Sequence, residues 1–290
     1  MTLAESAPRP TPLWRKALRN SGVALGGGVL LLMVLVAVLA PLIAPHDPYL
    51  QDLSNRLLPP FWHDRAVPEH ILGTDHLGRD YLSRLIYGTR VSLGVGAGVV
   101  LVSGAIGVTL GLLAGYFGGW VDMVISFVIT TRLSLPIVLV ALAAVVVGGA
   151  SLTTLIVVLG LLLWDRFAVV TRAATQSLRN QEFIQGLHAI GAGWPRILFL
   201  EILPNMRSAI LVVTTLEVAN VILLEAALSF LGLGVRPPTP SWGLMISEGR
   251  ENILFDPWLI SLPGTALCLL VLAVNLFGDG LRDLTGAVRK

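Results

Sequence analysis

Four stretches of the 290-residue chain hold no ionisable side chain: Gly22–Ala44, Val91–Gly115, Leu133–Trp164 and Pro257–Gly278. Each reaches or approaches the roughly 20 apolar residues that a helix needs to cross a bilayer. A fifth stretch, Ser208–Leu231, is interrupted only by Glu217 and Glu225. Leu133–Trp164 is too long for one helix, and Gly148-Gly149-Ala150-Ser151 supplies a turn within it. The pattern predicts an all-α membrane protein with about six transmembrane helices, at 22–44, 91–115, 121–147, 152–171, 208–231 and 257–278. Between the fourth and fifth lies a polar island, 182–205, broken by Gly191 and Gly193. Pro195 stands where a second short helix would begin, and Pro204 where it must stop.

Composition reinforces the pattern. Hydrophobic residues make up 54% of the chain and charged residues 13%, about half the charged share of a soluble domain. The net charge of +2 is dispersed, so no nucleic-acid partner is expected; lipid is. The lone Cys268 excludes an intramolecular disulfide. Arg9, Arg15, Lys16 and Arg19 precede the first span against one acid, Glu5. With six spans, that tail shares a side with 172–207 and the C-terminal tail, which add Arg172, Arg179, Arg196, Arg207, Arg282, Arg289 and Lys290. The positive-inside rule puts both termini and the polar island in the cytoplasm. The first apolar run is too long for the core of a cleaved signal peptide. The organisation expected is a cytoplasmic tail (1–21), a first span (22–44), an extracytoplasmic loop with an interfacial amphipathic segment (45–90), a core (91–283) containing a cytoplasmic loop (173–206), and a second tail (284–290).

Two segments carry motifs. In the polar island, Gly186, Gly191 five positions on, and Leu203-Pro204 share the frame of the cytoplasmic loop by which ABC importer permeases engage their ATPases. Gln185 stands where that loop usually has an acid, and Leu187 where it has a second alanine. Residues 70–93, His-Ile-Leu-Gly-Thr-Asp-His-Leu-Gly-Arg-Asp-Tyr-Leu-Ser-Arg-Leu-Ile-Tyr-Gly-Thr-Arg-Val-Ser-Leu, place glycine turns at Gly73 and Gly78 before an amphipathic helix. Asp75, Arg79, Asp80 and Arg84 are spaced there for local ion pairs. This stretch resembles the signature of the dipeptide, oligopeptide and nickel branch of ABC importer permeases. The resemblance continues through 114–122, 225–234, 237–243 and 275–283, and so covers nearly the whole chain; it is to the C-type subunit.

The resemblance implies a type I ABC importer permease fold. It also implies four kinds of partner: a homologous second permease subunit, two ATP-binding subunits, an extracytoplasmic substrate-binding protein and membrane lipid. ATP and Mg would sit on the ATPase subunits, and this chain would bind no cofactor. Gln185, Gly186, Leu187, Ile190, Gly191, Trp194, Leu203 and Pro204 would form the coupling contact, and the location would be the prokaryotic cytoplasmic membrane. Di- or oligopeptides lead the candidate cargoes, with nickel complexes and glutathione open. The chain departs from the family in its third helix, where Ser126-Phe127 and Thr130 replace a usual Met-Arg pair and Asp, and where Arg132 appears.

Charges inside a span are costly and face a partner or a wet path. Arg132, Glu217, Asn220 and Glu225 are therefore the candidate pathway residues, with Glu217 the first-choice partner of Arg132. Asp165 and Arg166, nearer a helix end, rank below them. The alternative role for all is structural pairing within the bundle. Enzyme classes fare poorly. Lysine occurs only at 16 and 290, so no phosphate-binding loop with its lysine exists. The histidines lie outside the spans, which removes the nucleophile–base pair of an intramembrane protease. His46, His63, His70 and His76 with Asp47, Asp64 and Asp75 follow no compact metal-ligand spacing, so a solvated loop is expected there and no metal. A secondary transporter or a channel-like subunit not driven by ATP is the rival class, but the inverted repeats with interrupted helices typical of the former are not evident.

Glycine repeats every fourth residue at Gly107, Gly111 and Gly115, and at Gly94 and Gly98. This is a spacing that lets helix backbones meet closely in lipid.

Overall fold

The computed structural model describes residues 20–149 and 151–286. The basic N-terminal segment Arg9–Arg19, Ala150 and the final residues with Arg289 and Lys290 lie outside the described residues. Nearly everything within them is helical, with no named strand among the described residues and a single isolated bridge between Thr74 and Asp80. Among the described residues five helical spans are long and apolar enough to cross a membrane, and six if a bent helix pair counts as one span.

Helix α1, Ser21–Ile43, starts on Asn20, whose side chain accepts the Val23 amide at 3.1 Å. A long loop, 44–80, follows. Asp52 caps a short turn within it, and hydrogen bonds from the Ser54 hydroxyl and amide hold the Asp52 carboxyl below the usual carboxylate range. Helix α2 then runs unbroken from Tyr81 to Phe117, capped by Asp80, whose carboxylate accepts the Ser83 amide at 2.8 Å. Its first turns are the amphipathic segment that the sequence predicts would lead into the second span: 81–90 continues without a break into 91–117, and Tyr81, Ser83, Arg84 and Thr89 are buried.

Helices α3 (Gly119–Leu133) and α4 (Ile137–Gly148) meet at a bend of 86°. Pro136 explains the break, because a residue before proline is disfavoured in helical geometry. The sequence predicts one straight span over 121–147, with Arg132 deep inside it. Arg132 instead occupies the last turn of α3, next to the bend. Helices α5 (Leu152–Leu162) and α6 (Asp165–Arg179) share a span across a short break at Leu163-Trp164. The polar island follows, beginning with α7 (Glu182–Ala189). Helix α8 (Arg207–Phe230), the short α9 (Trp242–Gly249) and α10 (Trp258–Gly286) complete the chain.

The tightest seam joins α2 to α6. A Cβ built on Gly107 would sit 2.2 Å from the Trp164 carbonyl oxygen, on Gly111 2.6 Å from that of Ala168, and on Gly115 2.7 Å from that of Arg172. Three successive turns of α2 thus have no room for any side chain, which is how two backbones pack when lipid supplies no hydrophobic drive. Gly94, in the same helix, meets nothing within 4 Å. Around this seam α1, α3, α5, α8 and α9 pack on α2, and α10 lies against α1, α8 and α9.

Candidate functional site

The bundle has two unlike ends. At one, loop 44–80 folds over the start of α2; at the other, the polar island meets the end of α2. Between them runs a seam of charged side chains.

The seam starts from two adjacent residues at the head of α6 that point to different helices. Asp165, 1% exposed, takes Arg132 Nη1 of α3 at 3.3 Å. Arg166 donates from Nη1 to Oε1 of Glu217 on α8 at 2.9 Å, and the Asn220 amide donates to the same oxygen at 3.4 Å. Glu217 is therefore not the partner of Arg132, as the sequence suggests it would be. Asp165 is, and the residues ranked lowest for the pathway hold both pairs together. The bend at Pro136 and the break at Leu163-Trp164 bring these side chains to one level. Nearer the polar island, Arg172 grips Asp122 through Nε and, at 2.6 Å, Nη2, joining α6 to the first turn of α3. Glu225 stands apart: fully buried, it accepts the Ser229 hydroxyl at 2.7 Å, and that hydroxyl accepts the Val235 amide. Glu225 thus tethers the turn after α8.

An arginine left without its carboxylate inside a membrane bundle is costly, and so is the reverse. Arg132→Ala should destabilise the chain by up to about 3–5 kcal/mol, because Asp165 stays buried and unpaired. Adding Asp165→Ala should recover part of this, whereas adding Glu217→Ala should not. A double-mutant cycle on the thermal unfolding of purified protein reads the coupling. Coupling of Arg132 to Glu217 larger than to Asp165 would refute the pairing.

The polar island is built as a hinge of short helices. Helix α7 ends in a Schellman cap: the Gly191 amide donates to His188 O and the Ala192 amide to Leu187 O, both at 3.0 Å. Gly191 has φ +79°, a left-handed backbone that glycine adopts without cost. The chain then winds on through Trp194–Arg196, a π-helical stretch Ile197–Ile202 and Leu203–Asn205. Pro204 does not stop the winding, contrary to expectation. The wider π-helical turn ahead of it relieves the clash that its ring would make with a preceding carbonyl, and the break falls at Met206.

The predicted coupling residues divide by direction. Leu187 and Leu203 pack inward against Leu112, Ile184, Ile197 and Ile202, fixing the island to the bundle. Ile190 is 77% exposed and Trp194 49%, with the Trp194 ring 5.7 Å from that of Phe117 at the end of α2. Gln185, Gly186, Gly191 and Pro204 are exposed as well. Phe183, Phe199 and Leu200, which no motif singles out, add to the same apolar exposure.

The local spacing of Asp75 and Arg79 predicts one pair of a buried ion cluster at the long-loop end, but not Glu248, nor that Arg84 pairs with Asp75 and Glu248 rather than with Asp80. Arg79 and Arg84, each 0% exposed, share Asp75 and Glu248. Arg79 Nε donates to Asp75 at 2.6 Å, and Arg84 Nη2 donates to Glu248 at 2.9 Å. Glu248 comes from α9, so loop 44–80, α2 and α9 are locked by one set of charges. Two groupings of imidazole and carboxylate groups also lie at this end: His46 with His70 and Asp80, and His76 with Asp75 and Glu248.

A helical bundle with a charged seam across its spans and an apolar segment exposed at one end has the parts of a membrane permease. Residues 107–286 match the family described as binding-protein-dependent transport system inner membrane component, and residues 12–60 match the N-terminal TM domain of oligopeptide transport permease C. The chain belongs to this family of ABC importer permeases. It is 41% identical over 280 residues to the dipeptide transport system permease protein DppC of Haemophilus influenzae, covering 96% of this chain and 95% of that one. Identity is 42% to the DppC protein of Escherichia coli K12 (96% and 94% covered) and 38% to the glutathione transport system permease protein GsiD of Pectobacterium atrosepticum (93% and 88%). Among solved structures, an inward-facing MetNI methionine ABC transporter aligns with a TM-score of 0.57 at 18% identity, covering 69% of this chain and 96% of that one. That likeness bears out the type I permease fold. The protein is a multi-pass inner-membrane transport subunit.

Proposed function

We propose that the chain is one of two homologous permease subunits of an importer for di- or oligopeptides or a closely related peptide-like solute. Two separate ATP-binding subunits would drive it, and an extracytoplasmic binding protein would deliver its cargo at the long-loop end. ATP and Mg belong to the ATPase subunits, and both termini and the polar island face the cytoplasm. The observation that carries this reading is the island itself. Its glycine turn and inward-facing Leu187 and Leu203 hold Ile190 and Trp194 outward, an apolar knob left largely uncovered by the described residues. The near-full-length kinship with dipeptide permeases supports the cargo class, and the glutathione relative marks its breadth. Arg132, Glu217, Asn220 and Glu225 remain the pathway candidates. In this reading the Arg166–Glu217 pair is the one placed to meet cargo, since Arg166 keeps more than half of its side chain exposed.

Docking of an exposed knob makes a two-part test. Ile190→Asp and Trp194→Asp should each cut dipeptide uptake in proteoliposomes by about 10- to 100-fold, the loss expected when an apolar anchor worth roughly 1–3 kcal/mol goes. The variants' own thermal stability should stay near wild type. In a Cys268→Ser background, a cysteine at 190 should react with an impermeant reagent only from the cytoplasmic side and be shielded when ATPase subunits are bound. Labelling from the outside, or full uptake by both variants, would end this reading.

A further inference from the structure

Two imidazoles and a carboxylate converge at the base of loop 44–80, although their positions in sequence give no hint of it. His70 Nδ1 lies 2.9 Å from Asp80 Oδ1, His46 Nδ1 lies 3.6 Å from the same oxygen, and the two rings stand 4.9 Å apart. Hydrogen bonding among the three does not account for this arrangement. Asp80 Oδ1 is satisfied by His70 alone, while His46 Nδ1, shut off from solvent, has no hydrogen-bond partner among the described residues. Ligand atoms of a tetrahedral zinc centre lie about 2.1 Å from the ion and so about 3.4 Å from one another. The two nitrogen–oxygen separations bracket that value.

The surroundings are those of a cation site. Asp80 is 3% exposed, and its other oxygen is pinned by the Ser83 amide at 2.8 Å. The Ser83 hydroxyl in turn accepts the His46 amide at 3.0 Å, so the carboxylate and one imidazole are held by a shared outer contact. A cavity of about 260 Å³ opens beside the three groups; its lining adds Asp47, Asp52 and Glu69 and contains no lysine or arginine. That leaves room and negative charge for a fourth ligand, a water or one of these acids. The neighbouring grouping of Asp75, His76 and Glu248 lacks this character, because its carboxylates are already taken by Arg79 and Arg84.

We propose that His46, His70 and Asp80 bind a divalent first-row transition ion of the zinc type, with two imidazole nitrogens and one carboxylate oxygen as protein ligands. The ion ties the first residues after α1, the middle of the loop and the cap of α2 to one point. It is independent of the charged seam and of the polar island.

The test uses the full-length chain carrying a tag without histidines, purified in detergent, stripped with a chelator and titrated with Zn²⁺, then separately with Co²⁺. One equivalent of zinc per chain is expected, together with the visible absorption of four-coordinate cobalt. His46→Ala and His70→Ala should each lower zinc affinity at least 10-fold and remove the cobalt spectrum. His76→Ala should change neither, and folding of every variant is checked by thermal unfolding of the stripped protein. No stoichiometric zinc in the folded wild type would overturn the proposal. So would zinc binding that survives both His46→Ala and His70→Ala, or that is lost in His76→Ala instead.

Discussion

Glu248→Ala is expected to leave little folded protein. The substitution strips the carboxylate that faces both Arg79 and Arg84, and neither arginine can reach water. Asp75 alone then balances two buried guanidinium groups. Removing one partner of a buried pair costs about 3–5 kcal/mol, against a total stability of about 5–15 kcal/mol for a typical domain. The damage spreads beyond one contact, since the cluster fastens α9 and the long loop to α2. Glu248→Gln keeps an acceptor in place and should be milder. Replacing the set together, with Arg79→Met, Arg84→Met, Asp75→Asn and Glu248→Gln, should be less harmful than Glu248→Ala, because no charge is then stranded. Recovery of monodisperse protein from detergent extracts and its unfolding midpoint provide the ranking. A Glu248→Ala protein as stable as wild type would show that the cluster contributes nothing.

Gly111→Leu should be as damaging by a different route. A leucine there has to start at a Cβ only 2.6 Å from the Ala168 carbonyl oxygen and 2.8 Å from the Thr171 Cβ. No rotamer removes that first atom. The α2–α6 seam must open, and overpacking of this kind costs about 1–3 kcal/mol even where side chains can yield; here the obstacle is backbone. Gly107→Leu should behave alike. Gly94→Leu is the internal control, in the same helix with open space in front of it, and should unfold within a few degrees of wild type. Equal midpoints for Gly94→Leu and Gly111→Leu would mean that the close approach is not what holds these helices.

The spans were legible because lipid imposes a simple rule, a long and largely apolar run, and charges interrupt these runs at only a few positions. The glycine stripe was legible for a related reason: a four-residue spacing stays on one helical face whatever the partner helix. Arg132 was misplaced because its apolar surroundings read as one straight helix, although Ser134-Leu135-Pro136 carried the sign of a bend. Once that bend is in place, Arg132 falls beside the break at Leu163-Trp164, and Asp165 is the carboxylate within reach. The Arg79–Glu248 contact joins residues 169 positions apart, and no local spacing encodes such a meeting. The same holds for His46 and His70, whose neighbourhood exists only after the loop has folded back on the cap of α2. In the polar island, the break that the sequence predicts at Gly191 is a turn with a left-handed glycine. Leu187 and Ile190 could not be told apart without knowing which way the short helix faces.

The unbroken length of α2 has a mechanical consequence. Thirty-seven residues at about 1.5 Å each make a rod about 55 Å long, with Asp80 and the ion cluster at one tip and Phe117, against Trp194, at the other. The rod has neither proline nor a break along it, so it can move as one piece. A tilt of about 5° around its midpoint carries the two tips roughly 2 Å in opposite directions. Whatever grips the loop at one surface and whatever presses Trp194 at the other are therefore geared to each other through a single lever.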